Sequence, residues 1–153
     1  IVGDGPARRD VERAFGPLGD RVSFVGEQPA PSIALMMRDS DLLVWPAIDE
    51  AIGLVFVEAQ ACGVPVIGGD SPGVAAVIDA ERTGVLVPPE DPLAFAAAIR
   101  RLANDPTLRE RMGDAAAAHV RNRHDVPVAA TALDTILRRV VKAHRPLEAM
   151  GTG

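Results

Sequence analysis

Aromatic side chains are scarce in this sequence: 153 residues carry four Phe, one Trp and no Tyr. A core made without rings must be packed from Ala, Val, Leu and Ile. The scarcity also argues against single-stranded nucleic acid as a partner, because such binding rests on bases stacked on aromatic rings. The charge agrees. A formal net charge of −5 leaves no broad basic footprint for a phosphate backbone, so no nucleic-acid partner is expected. A local basic pocket for one diphosphate is still compatible with that total.

Cysteine is almost absent as well. The single Cys62 cannot close an intrachain disulfide, which fits a reducing compartment and a cytoplasmic location. It sits among small residues near a helix end and reads as inert packing, since a nucleophilic role needs a nearby His. No run approaches the roughly 18 apolar residues that would suggest a membrane-crossing helix. Arg8, Arg9 and Asp10 interrupt the start before any leader-like apolar run develops. The chain opens on Ile1, directly in what reads as a strand, and is expected to be a piece of a longer protein.

What remains is an alternation of short β-branched runs with longer helical stretches. Ile1-Val2 end a strand, and Gly3-Asp4-Gly5-Pro6 turn it into a helix from about residue 7 to 15. Residues 21–26 alternate like a strand, 31–38 like a helix, and 41–45 like a buried strand ended by Pro46. A helix follows over 54–62 with Gly63 as its stop, then a strand at 64–67, a short helix at 73–79 and a strand at 84–87. Asp91 and Asp105, each followed by Pro, start two further helices, and a last one covers about 126–143. Strand–helix alternation with short connections implies an α/β fold, a Rossmann-like parallel sheet with helices on both faces and extra helices at the C-terminus. Residues 144–153 read as a flexible tail.

The informative stretch runs from Pro46 to Ile67 as strand, loop, helix, glycine stop and strand. In open α/β sheets ligands bind outside the carboxyl ends of the strands, where loops feed helix N-termini. Glu50 lies in that loop and Glu58 about two turns into the helix. Gly53 would let backbone approach a ligand at the helix start, where unpaired N–H groups and the helix dipole favour phosphate. Carboxylates flanking such an anion site can accept hydrogen bonds from sugar hydroxyls. A molecule carrying both diphosphate and polyol fits, and nucleotide sugars are such molecules.

Glu50 and Glu58 are separated by seven residues. Their frame, Glu-x-x-Gly-Leu-x-x-x-Glu-Ala-x-Ala-x-Gly-x-Pro-Val, resembles the E-x7-E signature of retaining GT-B glycosyltransferases, especially those of the family 4 type. Val2-Gly3-Asp4-Gly5-Pro6, Val22-x-Phe24-x-Gly26, Asp41-x-x-Val44-x-Pro46 and Thr83-Gly84-x-Leu86-Val87 resemble the same family. So do Asp91-Pro92-Leu93-Ala94 and Asp105-Pro106-x-Leu108-Arg109. The resemblance covers about residues 1–125. It implies that residues 1–143 form the C-terminal, nucleotide-sugar-binding domain, lacking its first strand and helix.

By that resemblance Glu50 would contact the donor sugar near the reacting carbon. The backbone at Ala51, Ile52, Gly53 and Leu54 would hold diphosphate and sugar, and Glu58 the ribose hydroxyls. Val25, Gly26, Glu27 and Gln28 would touch the base. The donor would be a UDP-, GDP- or ADP-sugar, with no cofactor and no metal. The family's Arg and Lys that grip the diphosphate, and its acceptor-binding N-terminal domain, belong upstream of Ile1. The fragment alone is therefore expected to be inactive. Departures are Ala51 and Ile52, where the family often has Gly-Phe, and Ala76, where it commonly has an acid.

Rival readings are a non-catalytic α/β binding or assembly module, including a strand-exchanged homo-oligomer, and a sugar-nucleotide epimerase of the same architecture. Gly3-Asp4-Gly5 lacks the third glycine of a dinucleotide fingerprint and reads as a plain turn. His119, His124 and His144 show no ligand spacing and read as surface or capping residues. Arg138, Arg139, Lys142 and Arg145 make a basic helix end, which suits the helix dipole and leaves peripheral membrane contact as an alternative.

Overall fold

The structure, a computed structural model, describes residues 1–143. The expectations for His144, Arg145 and the tail fall outside these described residues. The chain divides into two compact units, residues 1–40 and 41–153.

In the first unit Ile1–Gly3 runs parallel to residues 23–26. The terminal amine donates to Ser23 O at 2.6 Å, Val25 N–H to Ile1 O at 3.0 Å, and Gly3 N–H to Gly26 O at 2.8 Å. A sheet is therefore begun but not extended: one bridge, Val2 with Gly26, is all that two short segments support. The expected strand over 21–26 is reduced accordingly. Helix α1 spans Arg8–Phe15, a 3-10 stretch Gly16–Arg21, and helix α2 Ala30–Arg38. Phe15 meets Phe24 edge-on at 6.3 Å.

In the second unit strands β1 (Leu43–Trp45), β2 (Val66–Gly69) and β3 (Gly84–Val87) form a parallel sheet in the order β1-β2-β3. Val44 pairs with Ile67, and Ile67 with Val85. Parallel pairing follows from the crossovers: helix α3 (Leu54–Ala61) links β1 to β2, and the single turn α4 (Pro72–Ala75) lies between β2 and β3. Successive strand residues face opposite sides. Ile67, Val85 and Val87 join a core with Ala98, Leu102, Leu108 and Met112. A Cβ on Gly68 would meet the Phe56 ring and Val74 on the other side. Helices thus cover both faces, as expected of an α/β layer. Phe56, Ile67, Leu102 and Met112 are almost fully buried, each contributing about 1.5–3 kcal/mol.

Strand β1 departs from its expected burial. Val44 is 42% and Trp45 50% exposed. The cause is position: β1 is an edge strand, paired on one side by β2 and on the other by no described strand of the second unit. Such an edge keeps open amides and carbonyls.

Helix α5 (Pro92–Ala103) starts on Asp91, whose carboxylate accepts from the amides of Leu93 and Ala94 at 3.0 and 2.9 Å. Asp105 caps α6 (Pro106–Arg123) through the Leu108 amide at 2.9 Å. Helix α7 (Val126–Ala143) buries no residue. Its stripe of Leu133, Ile136, Leu137 and Val140 stays about half exposed. No described helix is long and apolar enough to cross a membrane.

Candidate functional site at the start of helix α3

The loop from β1 to α3 leaves the carboxyl end of the sheet with an unusual backbone. Ala47 (φ 54°), Asp49 (φ 56°) and Gly53 (φ 74°) are all left-handed. Two of these three are not glycine, and an Ala held there costs energy that the surrounding packing must offset. Ala47 is accordingly buried. Gly53 has a second reason to lack a side chain. An added Cβ would lie 2.8 Å from Cδ2 of the buried Phe56 ring. The Phe56 ring therefore sits directly under the helix start.

The loop is also pinned from α4. A Cβ on Gly73 would collide with the Ala51 carbonyl, so the two backbones lie in direct contact. The Ser71 hydroxyl donates to Glu50 O at 3.5 Å. Behind them, buried Gln60 donates from Nε2 to Phe56 O at 3.1 Å and to Val77 O at 2.9 Å, tying α3 to the segment after α4. Its Oε1 has no partner. Gln60, Phe56, Ser71 and Gly73 form a support that the motif reading missed. A Gln inside an otherwise apolar helix face was the available signal.

Glu50 curls back on the loop. One carboxylate oxygen accepts from Gly53 N–H at 3.1 Å and Ile52 N–H at 3.3 Å. Those backbone donors, Gly53 first, hold its pKa below the ordinary glutamate value. Two of the amides expected to face a ligand are therefore occupied by the residue expected to flank it. The next two amides, of Leu54 and Val55, meet no acceptor among the described residues. Glu58 is exposed one helical turn beyond exposed Leu54, on the same strip of α3, opposite buried Phe56, Ala59 and Gln60. Ala51 and Ile52 are exposed.

Helix α3 ends as its sequence demands. Gly63 takes φ 78°. Its amide bonds to Gln60 O, and the Val64 amide to Ala59 O, each at 3.0 Å, a Schellman ending. Beside the loop, Pro46, Ile48, Gly69, Val87, Phe95 and Ile99 line an apolar cavity of about 360 Å³, which no residue from Glu50 to Glu58 reaches.

Val25, Gly26, Glu27 and Gln28 lie in the first unit, where Gly26 (φ 67°) turns the chain and Gln28 Nε2 donates to Val25 O at 2.7 Å. Cys62 is half-buried. His119 and His124, read from the sequence as surface or capping residues, lie with their Nε2 atoms 3.4 Å from each other. Among the described residues no group of three or more His, Cys, Asp or Glu is placed to hold a metal.

A parallel sheet with helices on both faces, and a left-handed loop leading into a helix at its carboxyl end, define a Rossmann-like α/β domain of the GT-B type. Residues 1–119 match the family "Glycosyl transferases group 1", and the chain belongs to it. It is 36% identical over 142 residues to the alpha-D-kanosaminyltransferase of Streptomyces kanamyceticus, covering 92% of this chain and 37% of that protein. It is 37% identical over 128 residues to the D-inositol 3-phosphate glycosyltransferase of Streptomyces avermitilis, covering 84% and 27%. Among solved structures it resembles sucrose-phosphate synthase of Thermosynechococcus elongatus, with a TM-score of 0.83, 33% identity and coverage of 93% and 38%. It also resembles Anabaena HepE in complex with UDP-glucose, with a TM-score of 0.78, 25% identity and coverage of 90% and 40%. The chain thus spans between about a quarter and two fifths of the length of these proteins.

Proposed function

We propose that this chain is the donor-binding part of a retaining glycosyltransferase of the family 4 type, which moves a sugar from a nucleoside diphosphate sugar to an acceptor. The single observation that carries the reading is the Glu50-to-Glu58 segment. Its helix start presents open amides at Leu54 and Val55, with one carboxylate at the tip and another along the exposed strip. Family membership supports it, as does the likeness to a protein solved with UDP-glucose.

The diphosphate takes the helix tip, where free N–H groups and the dipole stabilise the leaving charge without a metal. The donor displaces Glu50 from the Ile52 and Gly53 amides. The released carboxylate then accepts from sugar hydroxyls near the reacting carbon. Glu58 accepts from the ribose hydroxyls. Val25, Gly26, Glu27 and Gln28 are assigned to the base on resemblance. The protein works in the cytoplasm, and acceptor recognition belongs to the greater part of the relatives' length that this chain does not span.

The test is transfer by the intact protein from a panel of UDP-, GDP- and ADP-sugars, with the product's anomeric configuration read by NMR. Retention, loss of transfer in Glu50→Ala, and activity undiminished by chelator are expected. Inversion, or undiminished transfer in Glu50→Ala, would overturn the proposal. Donor binding by the intact protein with release of free epimerised sugar nucleotide would favour the epimerase reading.

A further inference from the structure

Outside the donor loop, the chemistry-bearing pair is His119 and His124 at the end of α6. Five residues apart on a continuous helix, two side chains diverge by about 140° around the axis. They meet here because α6 stops at Arg123 and His124 takes φ −121°, ψ 2°, which swings its ring back over the last turn. The Nε2 atoms are 3.4 Å apart, the ring centres 5.3 Å, and the planes tilted by 44°.

Two arrangements can be compared with those distances. A straight N–H···N hydrogen bond prefers about 2.9–3.0 Å, and at the observed nitrogen spacing would set the ring centres about 5.7 Å apart. Two imidazoles on one tetrahedral ion, each about 2.05 Å from it, place the nitrogens about 3.3 Å and the ring centres about 5.2 Å apart. The observed pair of distances agrees with the second arrangement and departs from a straight hydrogen bond; without an ion the two rings share a bent N–H···N contact.

We propose that His119 and His124 are a two-point chelate for a divalent ion of the zinc class, bound through both Nε2 atoms with exchangeable ligands completing the shell. Imidazole suits Zn²⁺, Cu²⁺ and Ni²⁺ among the common ions. Charges around the pair are mixed: Asp79 favours a cation there, whereas Arg82 and Arg123 oppose it. Asp79 is itself paired with Arg82 at 3.0 Å. With two protein ligands the site is an open one, able to accept an outside donor such as water or a carboxylate. By joining the last turn of α6 to the His124 that ends it, the ion would fix the short connection from which α7 departs.

The experiment is calorimetric titration of the intact, tag-free protein with Zn²⁺ and separately with Ni²⁺, using chelator-stripped protein. Wild type should bind one ion more than His119→Gln, His124→Gln or the double variant does, with affinity at that site falling at least tenfold in each single variant. Proton NMR should show both imidazoles shifting together on substoichiometric Zn²⁺. Thermal melts of the variants separate loss of ligand from loss of fold. Equal titrations of wild type and a folded double variant, or a response of one ring only, would overturn the assignment.

Discussion

Gly53 carries two demands at once, a left-handed φ of 74° and contact with the Phe56 ring, which a Cβ would approach to 2.8 Å. Gly53→Ala should therefore cost about 1–3 kcal/mol, measured by denaturant unfolding of the intact protein. It should also weaken donor binding, since the loop must move. Glu50 makes a different kind of prediction. Its folded pKa is depressed by the Gly53 and Ile52 amides, so its contribution is fully present above the unfolded value of about 4.3 and disappears as pH falls through the lowered one. Following the Gly53 amide against pH by NMR should show a transition below that unfolded value. Glu50→Gln should abolish it, and an unchanged transition in the variant would show that another group is responsible. Glu58→Ala should leave the fold unchanged and weaken donor affinity, the loss of hydrogen bonds to hydroxyls costing about 1–3 kcal/mol by calorimetry. At this scale the sequence announced the acids and the glycine through their spacing. It did not announce that Glu50 would cap its own loop, because a flexible side chain's choice of partner depends on amides that only the folded turn exposes.

The elements were legible where local chemistry decides them. Asp91 and Asp105 each precede proline, and both cap their helices as such pairs should. Gly63 stops α3 through the left-handed ending that only a residue without Cβ adopts freely. Elements set by distant partners were harder to read. Strand β1 reads as buried from its Leu-Leu-Val-Trp run, yet its place at the sheet edge leaves Val44 and Trp45 exposed. The helix expected over 73–79 is regular only over Pro72–Ala75, beyond which the amides of Val77 and Ile78 both turn back to Val74 O. Helix α6 depends on a close approach. A Cβ on Gly113 would strike the Gly63 carbonyl at the end of α3. Gly113→Ala, which raises helix propensity, should nonetheless destabilise the protein by about 1–3 kcal/mol through overpacking. Greater stability in thermal or denaturant unfolding would contradict that packing.

At the scale of the molecule, the chain splits at about residue 40 into a small unit whose sheet is a single bridge and a larger one built on three parallel strands. That division could not be read from periodicity, which reports local pattern and not the number of contacts between patterns. The second unit keeps a strand edge that no other described strand of that unit pairs, and an apolar stripe along α7 that no described residue buries. Large exposed apolar surfaces of this kind commonly mark contact with other protein. The family relationship sets the frame: the relatives are between two and four times as long as the matched segment. Donor chemistry and acceptor choice are therefore properties to be measured on the intact protein. The most direct measurement is a crystal structure of that protein with a nucleoside diphosphate donor bound. It should place diphosphate oxygens within about 3 Å of the Leu54 and Val55 amides, with Glu50 turned from the loop to a sugar hydroxyl and Glu58 on the ribose. A donor seated elsewhere, with Glu50 still holding Ile52 and Gly53, would contradict the assignment.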